Sequence, residues 1–135
     1  MMKPNNVVSM PCKRGIDFFK MWLLLLKPFH NLTDREMEVM AAFLEKRENL
    51  SKHISDEALL DNILMNEQSK REVRESCDMT LQHFLVIMSK IRRNNVIVND
   101  RINPKLIPNI RHDEKSFSLV FEFDIKDEDR ADSKE

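Results

Sequence analysis

Gln82, His83, Val86, Lys90 and Arg93 recur along one side of a stretch near the middle of the chain. The amide and the imidazole can bond the edges of DNA bases, glutamine being suited to a bidentate pair with adenine, and the two cations can hold backbone phosphates. Val86 suits a thymine methyl group and suits an apolar patch of another protein equally well. Between these residues, Leu81, Phe84, Leu85, Met88 and Ile91 fall at i, i+3, i+4, i+7 and i+10. That spacing predicts an amphipathic helix over 80–93 with the apolar stripe inward. Thr80 or Asp78 can cap it, leaving backbone N–H groups at its start to meet a phosphate.

The flanks add to this pattern. Residues 69–77 read as a short polar helix carrying Lys70, Arg71 and Arg74, and Asp78-Met79 forms a tight break before the second helix. The three cations can contact phosphates, or they can belong to a solvated face with pairs such as Arg71–Glu75 at i, i+4. Lys90, Arg92 and Arg93 cluster at a helix C-terminus, where the helix dipole favours cations in any case. Beyond it, Val96-Ile97-Val98 and Ile102 flank the turn dipeptide Asn99-Asp100. Arg101 then either reaches the minor groove or backbone of DNA or is a plain turn charge. Residues 103–108 are constrained by Pro104 and Pro108. Helix, turn, amphipathic helix and β-type run is the order of a winged helix-turn-helix, so the expected fold class is mainly α with a small β-wing.

Other elements must position this motif. Residues 1–15 read as a flexible arm. Residues 16–26 read as a helix ended by Pro28, apolar nearly all round, which must be buried on more than one side. The second side belongs either to the core of the same chain or to another copy of the protein. Thr33 and Glu36 make a capping box, with Leu32 and Met37 in the hydrophobic-staple positions, opening a helix over 34–47. Residues 50–54 are a connection, Ser55 caps a helix over 56–64, and 66–68 break the pattern. In 117–125, Phe117, Leu119, Phe121, Phe123 and Ile125 alternate with polar or smaller residues, as in a half-buried strand that could pair with 96–102. Residues 126–135 read as a disordered acidic tail, which makes 16–125 the domain.

Composition narrows the function. The 135 residues suit one domain, and a single glycine, Gly15, leaves no phosphate-cradling loop of the Walker or dinucleotide type. The two cysteines are not in CxxC spacing and the four histidines are scattered, so no metal site or cofactor is expected. No nucleophile motif is present, and a catalytic role is not expected. The apolar run at 18–26 is far short of the ~20 residues a membrane helix needs, so a cytoplasmic protein is expected. Net charge is −1 overall, yet residues 69–111 carry +5, residues 112–135 carry −5 and residues 1–68 carry −1. The positive excess thus gathers on the helix pair, as a nucleic-acid footprint should.

At this point a family likeness emerges. LTDREMEVMAAFL resembles the opening helix of MarR- and LuxR-type regulators, and KREVRESCDMTLQHFLVIMSKIRRNNVI resembles their helix-turn-helix running into the wing. With Ile102-Asn103-Pro104 following, residues 32–108 are similar to small winged-helix proteins encoded by bacteriophages of gut bacteria. The turn glycine common in that family is replaced by Cys77-Asp78-Met79, and Asn95 stands where the family has a second glycine. The resemblance implies sequence-specific binding of double-stranded DNA in transcriptional control, as a homodimer, for which the 18–26 helix is the candidate contact. Phages also reuse this fold in virion components and adaptors, so a protein-interaction module within a virion or transcription complex is the alternative.

Overall fold

The computed structural model describes residues 6–127. The predicted tail therefore lies mostly outside the described residues, as does 1–5 of the arm. The chain is mainly helical with one small antiparallel sheet. In order it forms α1 (Ile16–Leu25), α2 (Lys27–His30), α3 (Asp34–Ser51), α4 (Glu57–Leu64), α5 (Glu67–Ser76), α6 (Leu81–Arg93), β1 (Ile97–Val98), β2 (Arg101–Ile102) and a 3-10 turn at Pro104–Leu106.

The helix starts follow cap chemistry. At α3 the Thr33 hydroxyl accepts from the Glu36 N–H while the Glu36 carboxylate accepts from the Thr33 N–H, and Leu32 and Met37 are both buried beside them. Such a box contributes about 1 kcal/mol. Asp56, rather than the expected Ser55, caps α4, because its carboxylate reaches the N–H groups of Ala58 and Leu59. Asn66 caps α5, which draws Glu67 and Gln68 into the helix instead of leaving them as a break. α3 runs one turn beyond its expected end, since half-buried Leu50 packs against the core. Pro28 does not stop the chain's helical course. It lies in the first turn of α2, where a missing N–H costs nothing, and the bend falls at Leu26.

α3 is the central element and touches α1, α4 and α5. Its Val39, Met40, Ala41, Phe43 and Leu44 meet Phe19, Trp22 and Leu23 of α1 in one core that also takes Leu64, Val73, Phe84, Met88 and Ile91. The Trp22 indole N–H is satisfied by the Leu106 carbonyl at 2.9 Å, joining α1 to the segment after the sheet. α1 buries only one side: Leu24 and Leu25 stay exposed, as does Phe29 of α2. Arg14, in the expected arm, is not loose, since it pairs with Glu48 at 3.3 Å and donates to the Arg111 carbonyl.

The hairpin pairs Ile97 with Ile102 and Val98 with Arg101. Asn99 and Asp100 both have positive φ, 54° and 58°, as a two-residue type I′ turn requires. Residues 117–125 do not join it. The sheet has two strands, and no backbone hydrogen bond ties 115–127 to the rest of the described chain. Phe117 instead lies edge-on to Phe18 and Trp22, with ring centroids 5.5 and 5.6 Å away, and Phe121 stacks on Phe29 at 6.2 Å. Its aromatic side chains find α1 and α2 before its backbone finds a strand.

Candidate nucleic-acid interface

The turn between α5 and α6 sets the geometry of the candidate site. The N–H of Met79 bonds the Arg74 carbonyl at 3.3 Å and that of Asp78 bonds the Glu75 carbonyl at 3.1 Å, a complete Schellman motif. Its left-handed residue is Asp78, φ 52°, a conformation that short polar residues adopt most readily after glycine. α6 ends the same way: Val96 bonds Ile91, Asn95 bonds Arg92, and Asn95 has φ 61°. Both left-handed positions are thus held by short side chains that tolerate this backbone.

Thr80 is the cap of α6, its hydroxyl accepting from the His83 N–H at 3.2 Å. The N–H groups of Leu81 and Gln82 find no acceptor among the described residues, as an N-terminus open to an anion requires. The inward stripe of α6 differs from expectation. Phe84, Ile87, Met88 and Ile91 are buried, whereas Leu81 and Leu85, expected inward, are 56% and 55% exposed. Ile87 completes an equally good helical stripe, and it is this stripe that joins the core. The face turned outward holds Gln82, Val86, Ser89 and Arg93, with His83 and Lys90 on one flank and Leu81, Leu85 and Arg92 on the other. Val86 is 57% exposed.

The cations divide into two groups. Lys90, Arg92 and Arg93 are exposed and Arg71 is exposed on α5, and none takes part in an ion pair among the described residues. Three others are engaged within the protein. Arg74 donates to the Met79 carbonyl at 3.1 Å and so buttresses the turn. Lys70 is half-buried and lies 3.7 Å from Glu67. Arg101 binds Asp61 of α4 at 2.9 Å. The anticipated Arg71–Glu75 pair does not form, and Glu72 turns away to Lys46 and Gln68, whose bonds, Lys46 first, hold its carboxyl below the usual range. Of the ten residues singled out by sequence, the structure brings Thr80, Gln82, His83, Val86, Lys90 and Arg93 onto one accessible helix. It ties Arg74 and Arg101 elsewhere. Arg92, read from sequence only as a helix-end cation, lies at the edge of that face, and Leu81 and Leu85, expected inward, are exposed beside it.

A cleft of about 470 Å³ lies beside the hairpin, lined by Arg47, Glu57, Asp61 and Arg101 among others. Its two cations face two carboxylates, which gives it no net attraction for an ion. Among the described residues no three His, Cys, Asp or Glu side chains converge on a metal-sized site, and no helix is long and apolar enough to cross a membrane. No protein-family model, no curated protein and no solved structure matches this chain.

Proposed function

We propose that the chain is a winged helix-turn-helix protein that binds double-stranded DNA, with α6 as the groove helix and the β1–β2 hairpin as the wing, in transcriptional control in the cytoplasm of a bacterium or of a phage's bacterial host. One observation carries this reading: the exposed arc of α6 combines Gln82, His83 and Ser89 with Lys90, Arg92 and Arg93, none of which pairs with a carboxylate among the described residues. Gln82 and His83 are then the base readers, Val86 the thymine contact, and Lys90, Arg93, Arg92 and Arg71 the phosphate contacts. Thr80 acts through the helix start that it caps. Lys70, Arg74 and Arg101 contribute only if their internal bonds open. Binding as a homodimer would set two such helices on two half-sites.

A second reading has its own support. Leu81 and Leu85 make an exposed apolar pair one turn apart on one flank of the same helix, which suits a protein partner in a virion or transcription complex better than a phosphate backbone. The two readings separate by fluorescence anisotropy with labelled duplex DNA from around the gene. DNA binding predicts affinity falling by orders of magnitude between about 50 and 200 mM salt, and loss of binding in Gln82→Ala/His83→Ala/Lys90→Ala with the circular dichroism spectrum unchanged. A folded protein with no salt-sensitive binding would favour the protein partner. Loss of partner capture in Leu81→Ser/Leu85→Ser would then locate it.

A further inference from the structure

The segment 117–125 is the part of the described chain whose sequence and surroundings disagree most. It has the alternation of a strand, and its first residues keep it in space: Phe117 and Leu119 are half-buried while Ser118 and Val120 are exposed. Yet its backbone is unpaired, and Phe123 and Ile125, in phase with Phe117 and Leu119 in the alternation of the sequence, are 84% and 86% exposed. A strand that shows both unpaired peptide groups and an apolar face is a template for another strand.

The neighbouring helices show a matching deficit. Leu24, Leu25 and Phe29 are exposed on α1 and α2, and Phe121 reaches this region by stacking on Phe29. An aromatic side chain carries ~150–250 Å², and a leucine or isoleucine lies near the lower end of that range. At the exposures found, Leu24, Leu25, Phe29, Phe121, Phe123 and Ile125 present roughly 750 Å² per chain. Taken together, that area approaches the ~800 Å² that each partner brings to a standard interface.

We infer that residues 117–125 pair antiparallel with the same segment of a second copy, around a two-fold axis at Phe121, closing a homodimer over the exposed side of α1 and α2. The sequence is self-complementary in that register. Phe117 faces Ile125, Leu119 faces Phe123 and Phe121 faces itself, so the apolar face is continuous across both chains. On the other face Ser118 meets Asp124 and Val120 meets Glu122, so no acid opposes an acid. A parallel in-register pairing would set Glu122 on Glu122 and Asp124 on Asp124, which is repulsive. Each copy's Phe123 and Ile125 come to lie beside the other's Leu119 and Phe117, over the other's α1. An isologous contact of this kind closes after two chains and does not propagate.

This inference takes up the second-copy part of the reading above and is independent of what α6 binds. Its test needs no DNA, so the failure of either is a separate result. Sedimentation velocity at tens of micromolar should show a dimer. Phe121→Asp, which opposes two carboxylates at the axis, should weaken it roughly 100-fold without altering the circular dichroism spectrum. In a Cys12→Ser background, Phe121→Cys should form an interchain disulfide under mild oxidation, because directly opposed residues lie ~4.5–5.5 Å apart, within disulfide reach. Phe123→Cys should not, because its twin lies four residues along the strand, ~13 Å away. A mixture of Leu119→Cys and Phe123→Cys chains should link to one another. A monomer at these concentrations would overturn the inference and leave the strand to a different partner. A dimer that links equally well at 121 and 123, or at neither, would overturn the pairing.

Discussion

The Arg101 guanidinium and the Asp61 carboxylate meet at 2.9 Å, so the hairpin is fastened to α4 through the one cation near its tip. The same bond that steadies the hairpin withholds a positive charge from any DNA beneath it. Asp61→Asn keeps the shape and removes the attraction. Because Arg101 is largely exposed, the loss of stability should stay below ~1 kcal/mol. The freed guanidinium should tighten binding to duplex DNA and steepen the logarithmic salt dependence by about one. A titration series in salt decides this, and an unchanged slope would remove Arg101 from the interface.

Asp78 holds a left-handed backbone at the turn on which α6 depends, φ 52°. For an L-residue that conformation costs about 1 kcal/mol or more, least for Asp and Asn. Asp78→Gly should therefore stabilise the chain by about 1 kcal/mol, while Asp78→Val should destabilise it by more than that, since a β-branched side chain fits this region worst. Urea midpoints of the two variants should lie on opposite sides of the parent's. A glycine variant that unfolds earlier than the parent would show that the carboxylate does more than tolerate the turn.

These positions explain how much could be read from sequence. Helix locations were legible because caps and apolar spacing are local: Thr33 with Glu36 fixed the start of α3, and Thr80 the start of α6. Where two cap formers adjoin, as at Ser55-Asp56, spacing alone does not choose between them. The side of α6 that faces inward was ambiguous because Leu81/Leu85 and Ile87 complete equally regular stripes, and packing decides. With one glycine in the chain, left-handed sites could be sought only among Asn and Asp, and that is where Asn31, Asp78, Asn95, Asn99 and Asp100 carry them. The alternation of 117–125 was legible, but its partner was not, because strand pairing is a long-range choice. By contrast, the outward position of Gln82, His83 and Lys90 followed from helical spacing, which is local. The capture of Arg101 by a carboxylate forty residues away did not.

The two cysteines should behave as different chemical species. Cys12 is exposed, whereas Cys77 is buried at the end of α5, and burial, the largest influence on it, raises its thiol above the ordinary value. Since the thiolate is the reactive form, the native protein should titrate one thiol rapidly with a disulfide reagent at pH 8 and the second only on unfolding. Cys12→Ser should abolish the fast phase and leave the slow one. Two fast thiols in the native protein would mean that the α5–α6 turn opens readily.

His30 gives the fold a pH dependence of predictable sign. Its Nδ1 accepts from the Leu32 N–H at 3.0 Å, so the ring proton sits on Nε2, which donates to the Leu23 carbonyl at 2.7 Å. The ring is buried, and burial lowers its pKa; the Leu23 bond opposes the shift and Lys27 adds to it. Below the unfolded histidine's pKa of ~6.5 the unfolded chain takes up a proton that the folded ring refuses. The contribution of His30 is therefore whole above about pH 6.5 and is lost as pH falls toward the lowered value. His30→Gln should cost about 1–3 kcal/mol at pH 7.5 by disturbing both bonds. It should also lose less stability than the parent between pH 7.5 and 5.5. Urea unfolding of both proteins at the two pH values isolates the effect, because every other titrating group is shared. Equal losses in parent and variant would show that His30 accepts its proton without disturbing the fold.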